Sequence, residues 1–428
     1  MLDILRNAWK VADIRKKILY TVMILFIFRI GAIIPVPFVD LAALSNTMQS
    51  SSAVNEFFSY ISALTGAGLE YGAIFAMSVT PYINASIIMQ LLTVAFPFLE
   101  RIAKEGEEGQ KKIAKYTRFA TVILGLIQGT AYFFYLKGSG LVNAKGAFEN
   151  IFAGIVIVLC FTAGSAIVMW LGERIDEKGI GNGISMLLFA GIISRAPAAA
   201  SSIWAHLEQG KYIEVVLILL LFLCIIGFIV WMTGAERQIP VQYAKRVVGR
   251  KMYGGQNSHI PIKVNMSGVM PIIFASSFLS IPQMICGFMA NNADHWLFKV
   301  CAVFTYRGVF YAILYLAMIV GFAYFYVQIQ YNPVEMANNL RKNSGAVPGI
   351  RAGKPTADYL KKIMSRITLI GAIFLGVLAV LPVIMSSVSS IDVVLGGTSV
   401  LIVVGVALDT VRTLESQLMM RHYKGFLD

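Results

Sequence analysis

Apolar stretches of about twenty residues recur along the whole chain, separated by short polar or charged breaks. Twenty residues at about 1.5 Å each cover the ~30 Å hydrocarbon core of a bilayer, so each run predicts a membrane-spanning helix. Ten runs qualify: 18–36, 74–96, 118–136, 151–171, 183–203, 213–233, 267–288, 308–329, 367–385 and 397–416. One stretch breaks the pattern. From Asn55 to Pro97 the chain is too long for a single span, and Gly66, Gly68 and Gly72 interrupt it with Glu70 among them. A short apolar piece, 57–65, precedes the glycines, and a longer one, 73–96, follows with Pro81 inside it. Irregular backbone at membrane depth leaves polar groups unpaired unless it is buried in protein or lines a cavity. Two readings follow: a broken segment folded against the bundle, or an outer loop packing aromatic residues at the interface.

Positive charge sets the direction of the spans. With the N-terminus inside, 29 of the 36 Lys and Arg fall on the inner side and six on the outer, with Arg29 inside the first run. Basic residues hold segments on the cytoplasmic side, so this bias supports ten spans with both termini cytoplasmic. The net charge of +13 is then mostly topology, and nucleic acid is not needed to explain it. Composition agrees: 14% of residues are charged, against about 25% in soluble domains. Residues 1–17 are charged throughout, and the first run ends at Ile34-Pro35-Val36-Pro37 without a small-residue cleavage site, so no cleaved signal peptide is expected.

Between the spans, the N-terminal tail predicts a short amphipathic helix with Ile4, Leu5, Ala8, Trp9 and Ala12 on one face. The mixed-charge segment 99–118 predicts a solvated turn. Inner segments 234–266 and 330–366 are long and basic, as docking surfaces for a soluble partner would be; flexible linkers are the alternative.

Two weak self-similarities add a constraint. The pattern P-x-I-x-A-S occurs at 81–86 and 271–276, and G-x-S-x-L at 183–187 and 397–401. The pairs fall in the second and seventh runs and in the fifth and tenth. An offset of five spans reverses direction across the membrane, which predicts two five-helix halves of inverted topology with the functional site between them. The expected architecture is therefore all-α, with halves at 1–205 and 206–428.

Catalytic chemistry is scarce. The four histidines (His206, His259, His295, His422) lie outside the spans without metal-ligand spacing, and the four cysteines include no C-x-x-C pair. Gly353-Lys354-Pro355-Thr356 fails as a nucleotide loop, because Pro348 stands where the leading glycine belongs and Pro355 where magnesium needs a hydroxyl. No enzyme activity, cofactor or metal is expected, and energy must come from a partner or an ion gradient. Arg29 and the Asp409/Arg412 pair read as structural or snorkelling groups. The lining that the repeat nominates is aliphatic: Ile83, Ile87, Ile184, Leu188, Ile273 and Ile402. Such a constriction dewets and resists ions, although packed core residues give the same pattern. A small-molecule transporter fits the inverted repeat equally, but the spans carry no acidic cluster. An intramembrane enzyme lacks a catalytic pair on any helix.

Several strings point to one family: F-R-I-G-A-I-I-P-V-P at 28–37, P-Y-I-N-A-S-I-I-M-Q-L-L at 81–92, L-G-E-R-I-D-E-K-G-I-G-N-G-I-S at 171–185, Y-A-K-R-V-V-G-R at 243–250, H-I-P-I-K-V-N-M-S-G-V-M-P at 259–271, V-P-G-I-R at 347–351 and G-G-T-S at 396–399. The chain resembles the bacterial SecY family over nearly its whole length. That resemblance implies an hourglass channel in the cytoplasmic membrane that passes unfolded secretory polypeptides and releases apolar segments sideways into lipid. It maps a pore ring onto the six aliphatic residues just named. It maps a plug near Phe57, Ile61, Leu64, Gly66 and Gly68, with the glycines as its swivel, and a lateral gate between the second and third and the seventh and eighth helices, with Gln128 as a gate residue. It implies docking of a SecA motor ATPase or the ribosome, including ribosomal RNA, at Arg246, Arg250 and Arg351. SecE-type and SecG-type small membrane subunits are further implied partners.

Overall fold

The computed structural model describes residues 2–41, 44, 66, 68–143, 146–243, 246–248, 251–253, 257–288, 309–388 and 397–424. In chain order the helices are α1 (Leu2–Lys10), α2 (Ala12–Gly31), α3 (Thr80–Ala95), α4 (Pro97–Ala103), α5 (Glu107–Gly138), α6 (Ala147–Lys178), α7 (Gly183–Ile193), α8 (Ala196–Glu208), α9 (Tyr212–Gly234), α10 (Met270–Phe288), α11 (Val309–Gln330), α12 (Pro333–Lys342), α13 (Lys354–Val388) and α14 (Gly397–Lys424). Each of the ten apolar runs coincides with helix in whole or in part. Among the described residues, six helices are long and apolar enough to span a membrane, and the bent pair α3/α4 makes a seventh if it counts as one span. Their apolar side chains point outward in numbers that water would not tolerate: on α9 alone Val216, Leu217, Leu220, Leu223 and Trp231 are exposed, the face a lipid-embedded helix presents.

Two bundles each have their own core. In the first, α3, α5 and α6 pack together, with Tyr132, Tyr135, Ile157 and Phe161 at the centre. In the second, α11 packs on both α10 and α13, around Ile272, Tyr311, Tyr315 and Leu375. The repeat is visible in the helix starts. α3 begins one residue before Pro81, and α10 one residue before Pro271; α7 and α14 begin at the aligned glycines, Gly183 and Gly397. The aligned helices also touch: α3 packs on α10, and α7 on α14. Equivalent elements meet in this way where a pseudo-two-fold axis passes between inverted halves.

Pro81 therefore initiates α3 rather than interrupting a longer helix. Its missing N–H falls in the first turn, where no intrahelical acceptor exists. The residues before it, 73–79, form turns. Pro97 acts the same way for α4: Phe96 is held extended (φ −109, ψ 114), and the chain bends by 107°. The segment 99–118 is not the expected solvated turn, since α4 runs to Ala103 and α5 starts at Glu107, with Gly106 in the left-handed region (φ +80) between them. The N-terminal helix also differs from expectation. Ala8 is buried with Ile14, Ile180 and Leu414, so α1 packs on α14, while Trp9 remains half exposed.

The described parts of the basic inner segments carry the strands of an otherwise helical fold. β1 (Glu236–Tyr243) pairs antiparallel with β4 (Asn257–Lys263), and β2 (Arg246–Val248) pairs with β3 (Lys251–Tyr253) between them. β5 (Gly345–Ala346) adds to the other edge of β1, which ties the two segments into one body. Alternation explains the strands: Ile239 and Val241 on β1 share a face with Ile260 and Ile262 on β4. That face covers Val347, Leu360, Met364 and Ile367. Leu360 is fully buried, so Leu360→Ala should cost about 2–5 kcal/mol and open 234–266 and 330–366 to protease together. Cleavage confined to one segment would contradict a shared core.

Candidate functional site

The candidate constriction is built from helix starts. Asp176 accepts a hydrogen bond from the Gly183 N–H at 2.7 Å, and the Asn182 side chain accepts one from the Ser185 N–H at 3.0 Å. These caps satisfy orphan donors and fix the first turn of α7. A Cβ at Gly183 would run into the Gly172 carbonyl, so glycine there lets α7 lie close on α6. Ile184 and Leu188 then project one turn apart from a fixed origin. Ile83 and Ile87 hold the same i, i+4 relation on α3.

Five of the six ring candidates share one apolar cluster. Leu188 and Ile402 are buried in it, and Ile83, Ile184 and Ile273 pack against it half-buried. Ile87 is buried but lies outside that cluster. Contributions come from α3, α7, α10 and α14, the four helices that the repeat nominates. Leu188, Ile273 and Ile402 also line a cavity of about 310 Å³. Its other walls carry Asn182, Ser185, Lys263, Asp409 and Arg412. A second cavity of about 480 Å³ shares Asn182, Ser185, Val406 and Asp409 and reaches Lys17, Asp176, Glu177 and Gln417. The two share these four residues and form a vestibule of mixed polar and apolar lining, with Leu188, Ile273 and Ile402 in its wall. Asp409 and Arg412 both face it, but the expected pairing between them is replaced: Arg412 donates to the Thr233 carbonyl at 3.2 Å.

Comparison with known proteins identifies the family. The SecY family pattern matches residues 73–411. The protein translocase subunit SecY of Streptomyces coelicolor is 42% identical over 441 residues, covering 100% of both chains. The chain belongs to the SecY family. It is therefore a multi-pass membrane subunit of a protein-translocating channel and not an enzyme, and the small-molecule transporter reading gives way. Two solved structures share the fold. One is a SecY channel whose plug domain stabilises the closed state and maintains a membrane seal (TM-score 0.66, 17% identity, 94% of this chain and 92% of that one). The other is Sec61 in the canine ribosome–channel complex from the endoplasmic reticulum (TM-score 0.60, 16% identity, 94% and 92%).

The remaining residues expected from the SecY resemblance are scattered. Gln128 lies half-buried on α5. That helix and α3 both pack on α10, along the seam expected for a lateral gate. Arg351 is exposed on the turn before α13, where its carbonyl accepts a hydrogen bond from the Thr356 hydroxyl at 2.8 Å. Arg246 opens β2. Arg250 lies outside the described residues, as do Phe57, Ile61 and Leu64. Gly66 and Gly68 are described, both buried in turns.

Sequence reasoning missed the partners of this turn region. Arg29 donates to the Gly66 carbonyl at 3.1 Å, so it neither snorkels nor faces lipid alone. Arg195 pairs with Glu70 at 2.7 Å. The available signal was the cost of a lone charge at membrane depth, which demands a partner without naming it.

Proposed function

We propose that this chain conducts unfolded secretory polypeptides across the bacterial cytoplasmic membrane through a constriction of Ile83, Ile87, Ile184, Leu188, Ile273 and Ile402, and releases apolar segments between α3/α5 and α10/α11. The reading rests on one observation: aliphatic residues from the four repeat-related helices converge in one cluster, and three of them, Leu188, Ile273 and Ile402, line a cavity that also carries Lys263, Asp409 and Arg412. Branched apolar side chains exclude water and ions, yet they can part for a chain without breaking hydrogen bonds. Sideways release is partitioning: a segment leaves for lipid when its apolar transfer energy outweighs its polar groups.

Residues 1–205 and 206–428 act as the two halves, hinged at the loop between the fifth and sixth spans, with the division falling near the end of α8. Residues 57–65 serve as the moving part of the plug, with Gly66 and Gly68 at its base, a role supported by the fold shared with a SecY structure described through its plug domain. Gln128 serves the gate. Arg246, Arg250 and Arg351, on the two long basic inner segments, serve to dock a SecA motor or ribosomal RNA; the guanidinium fork suits carboxylate and phosphate alike. Sec61, which shares this fold, is found in a ribosome–channel complex. SecE-type and SecG-type subunits complete the assembly. The test is reconstitution of the chain with such subunits and a motor ATPase in liposomes. Protection of a secretory precursor from added protease is expected, and a precursor that stays accessible at saturating motor removes the proposal.

A further inference from the structure

Gly66 and the residues from 68 to 74 form no helix, yet they are held from several directions. Arg29 on α2 donates to the Gly66 carbonyl at 3.1 Å. Tyr132 on α5, fully buried, donates its hydroxyl to the Leu69 carbonyl at 3.0 Å. Arg195, between α7 and α8, pairs with Glu70 at 2.7 Å, and the two side chains keep only 15% and 28% of their exposure. The backbone adds its own bridge: the Val36 N–H bonds the Gly72 carbonyl, and the Ile74 N–H bonds the Ile34 carbonyl, each at 2.9 Å. Gly66 has φ +72, and a Cβ there would come within 2.7 Å of the Gly191 carbonyl and the Ser194 hydroxyl. The segment is thus seated on the end of α7.

All of these partners belong to the first half. We propose that Gly66 and residues 68–74 are a fixed wall of that half, positioned by Arg29, Tyr132 and Arg195, and that this wall stays seated on α2, α5 and α7 while the channel opens and conducts. The proposal rests on the channel reading above. Separating Glu70 from Arg195 would leave two charges without partners in a water-poor setting, which resists motion. The positive φ values at Gly66 and Gly72 then serve a tight static turn rather than a swivel. Opening requires the second half, which carries Ile273 and Ile402, to move away from this wall.

The test uses the assembled channel with its small subunits in proteoliposomes, after Cys160, Cys224, Cys286 and Cys301 are replaced by Ser. Glu70→Cys and Arg195→Cys are joined by a short bismaleimide. The linked channel should translocate precursor within about twofold of the unlinked one. Failure of the link to form, or loss of translocation that returns when a cleavable linker is cut, overturns the fixed wall. Charge exchange reads the positioning role separately. Glu70→Arg alone should raise resting ion conductance about tenfold, and Glu70→Arg with Arg195→Glu should restore it. Glu70→Gln gives the same direction with less risk to folding. Equal conductance in all variants overturns the role of Arg195. If the unlinked parent channel translocates nothing, the channel reading fails instead.

Discussion

Replacing Ile83 and Ile273 together by glycine should raise the ion conductance of the resting channel in planar bilayers by at least about tenfold, because the dewetted constriction is the barrier to ions. The two residues stand at aligned positions of α3 and α10, and both pack against the cluster that buries Leu188 and Ile402. Cutting each side chain back to hydrogen removes four carbons from each side of that cluster. The surrounding helices close such a gap only partly. Water entering the gap would join the cavity that Leu188 lines to the far side. The halves retain their separate cores around Tyr132 and Tyr315, so the channel should remain folded, which protease resistance would verify. Unchanged conductance in a folded double variant would assign these residues to packing alone. Ile87, outside the cluster, should give a smaller increase when changed alone.

Arg351→Glu should lower motor-driven export at least about a hundredfold while leaving the channel assembled in the membrane. The side chain is exposed, so its reversal should change stability by no more than about 0.5 kcal/mol. Its backbone is held by the Thr356 hydroxyl, so the turn keeps its shape. Docking is another matter. Reversing a charge at the centre of an interface replaces attraction with repulsion and leaves the partner's charge unpaired, at a cost of about 2–5 kcal/mol. Protection of precursor with the motor present is the measurement, with vesicle-bound channel quantified alongside. Export at the parental rate would move the docking site away from this turn.

Legibility differed from element to element. The ten apolar runs were readable because lipid forces each segment to satisfy its own backbone, which makes helix formation a local matter. The starts of α3 and α10 were partly hidden, since a proline inside an apolar run can either kink a helix or open one. Pro81 and Pro271 open theirs, which neither periodicity nor the repeat could decide. The strands β1 and β4 were overlooked although Ile239, Val241, Ile260 and Ile262 alternate, because prolines at 240 and 261 argue against central strands. The ring candidates were legible only through the repeat. An aliphatic residue looks the same in a pore as in a core, and symmetry alone singled out Ile83, Leu188, Ile273 and Ile402.

By itself, the sequence determined which apolar segments become helices, that the chain is a membrane protein, and which aliphatic positions the repeat brings into register. Hydropathy, charge bias and repeat are all carried by residues close together in the chain, so no contact had to be known. The tertiary structure alone decided what holds the broken stretch before α3. Arg29 reaches Gly66 across 37 positions, Tyr132 reaches Leu69 across 63, and Arg195 reaches Glu70 across 125. Each charge demanded a partner, but several lay within the chain's reach. Only packing α2, α5 and α7 around the turn selected one for each, because a hydrogen bond is fixed by position in space and not by distance along the sequence.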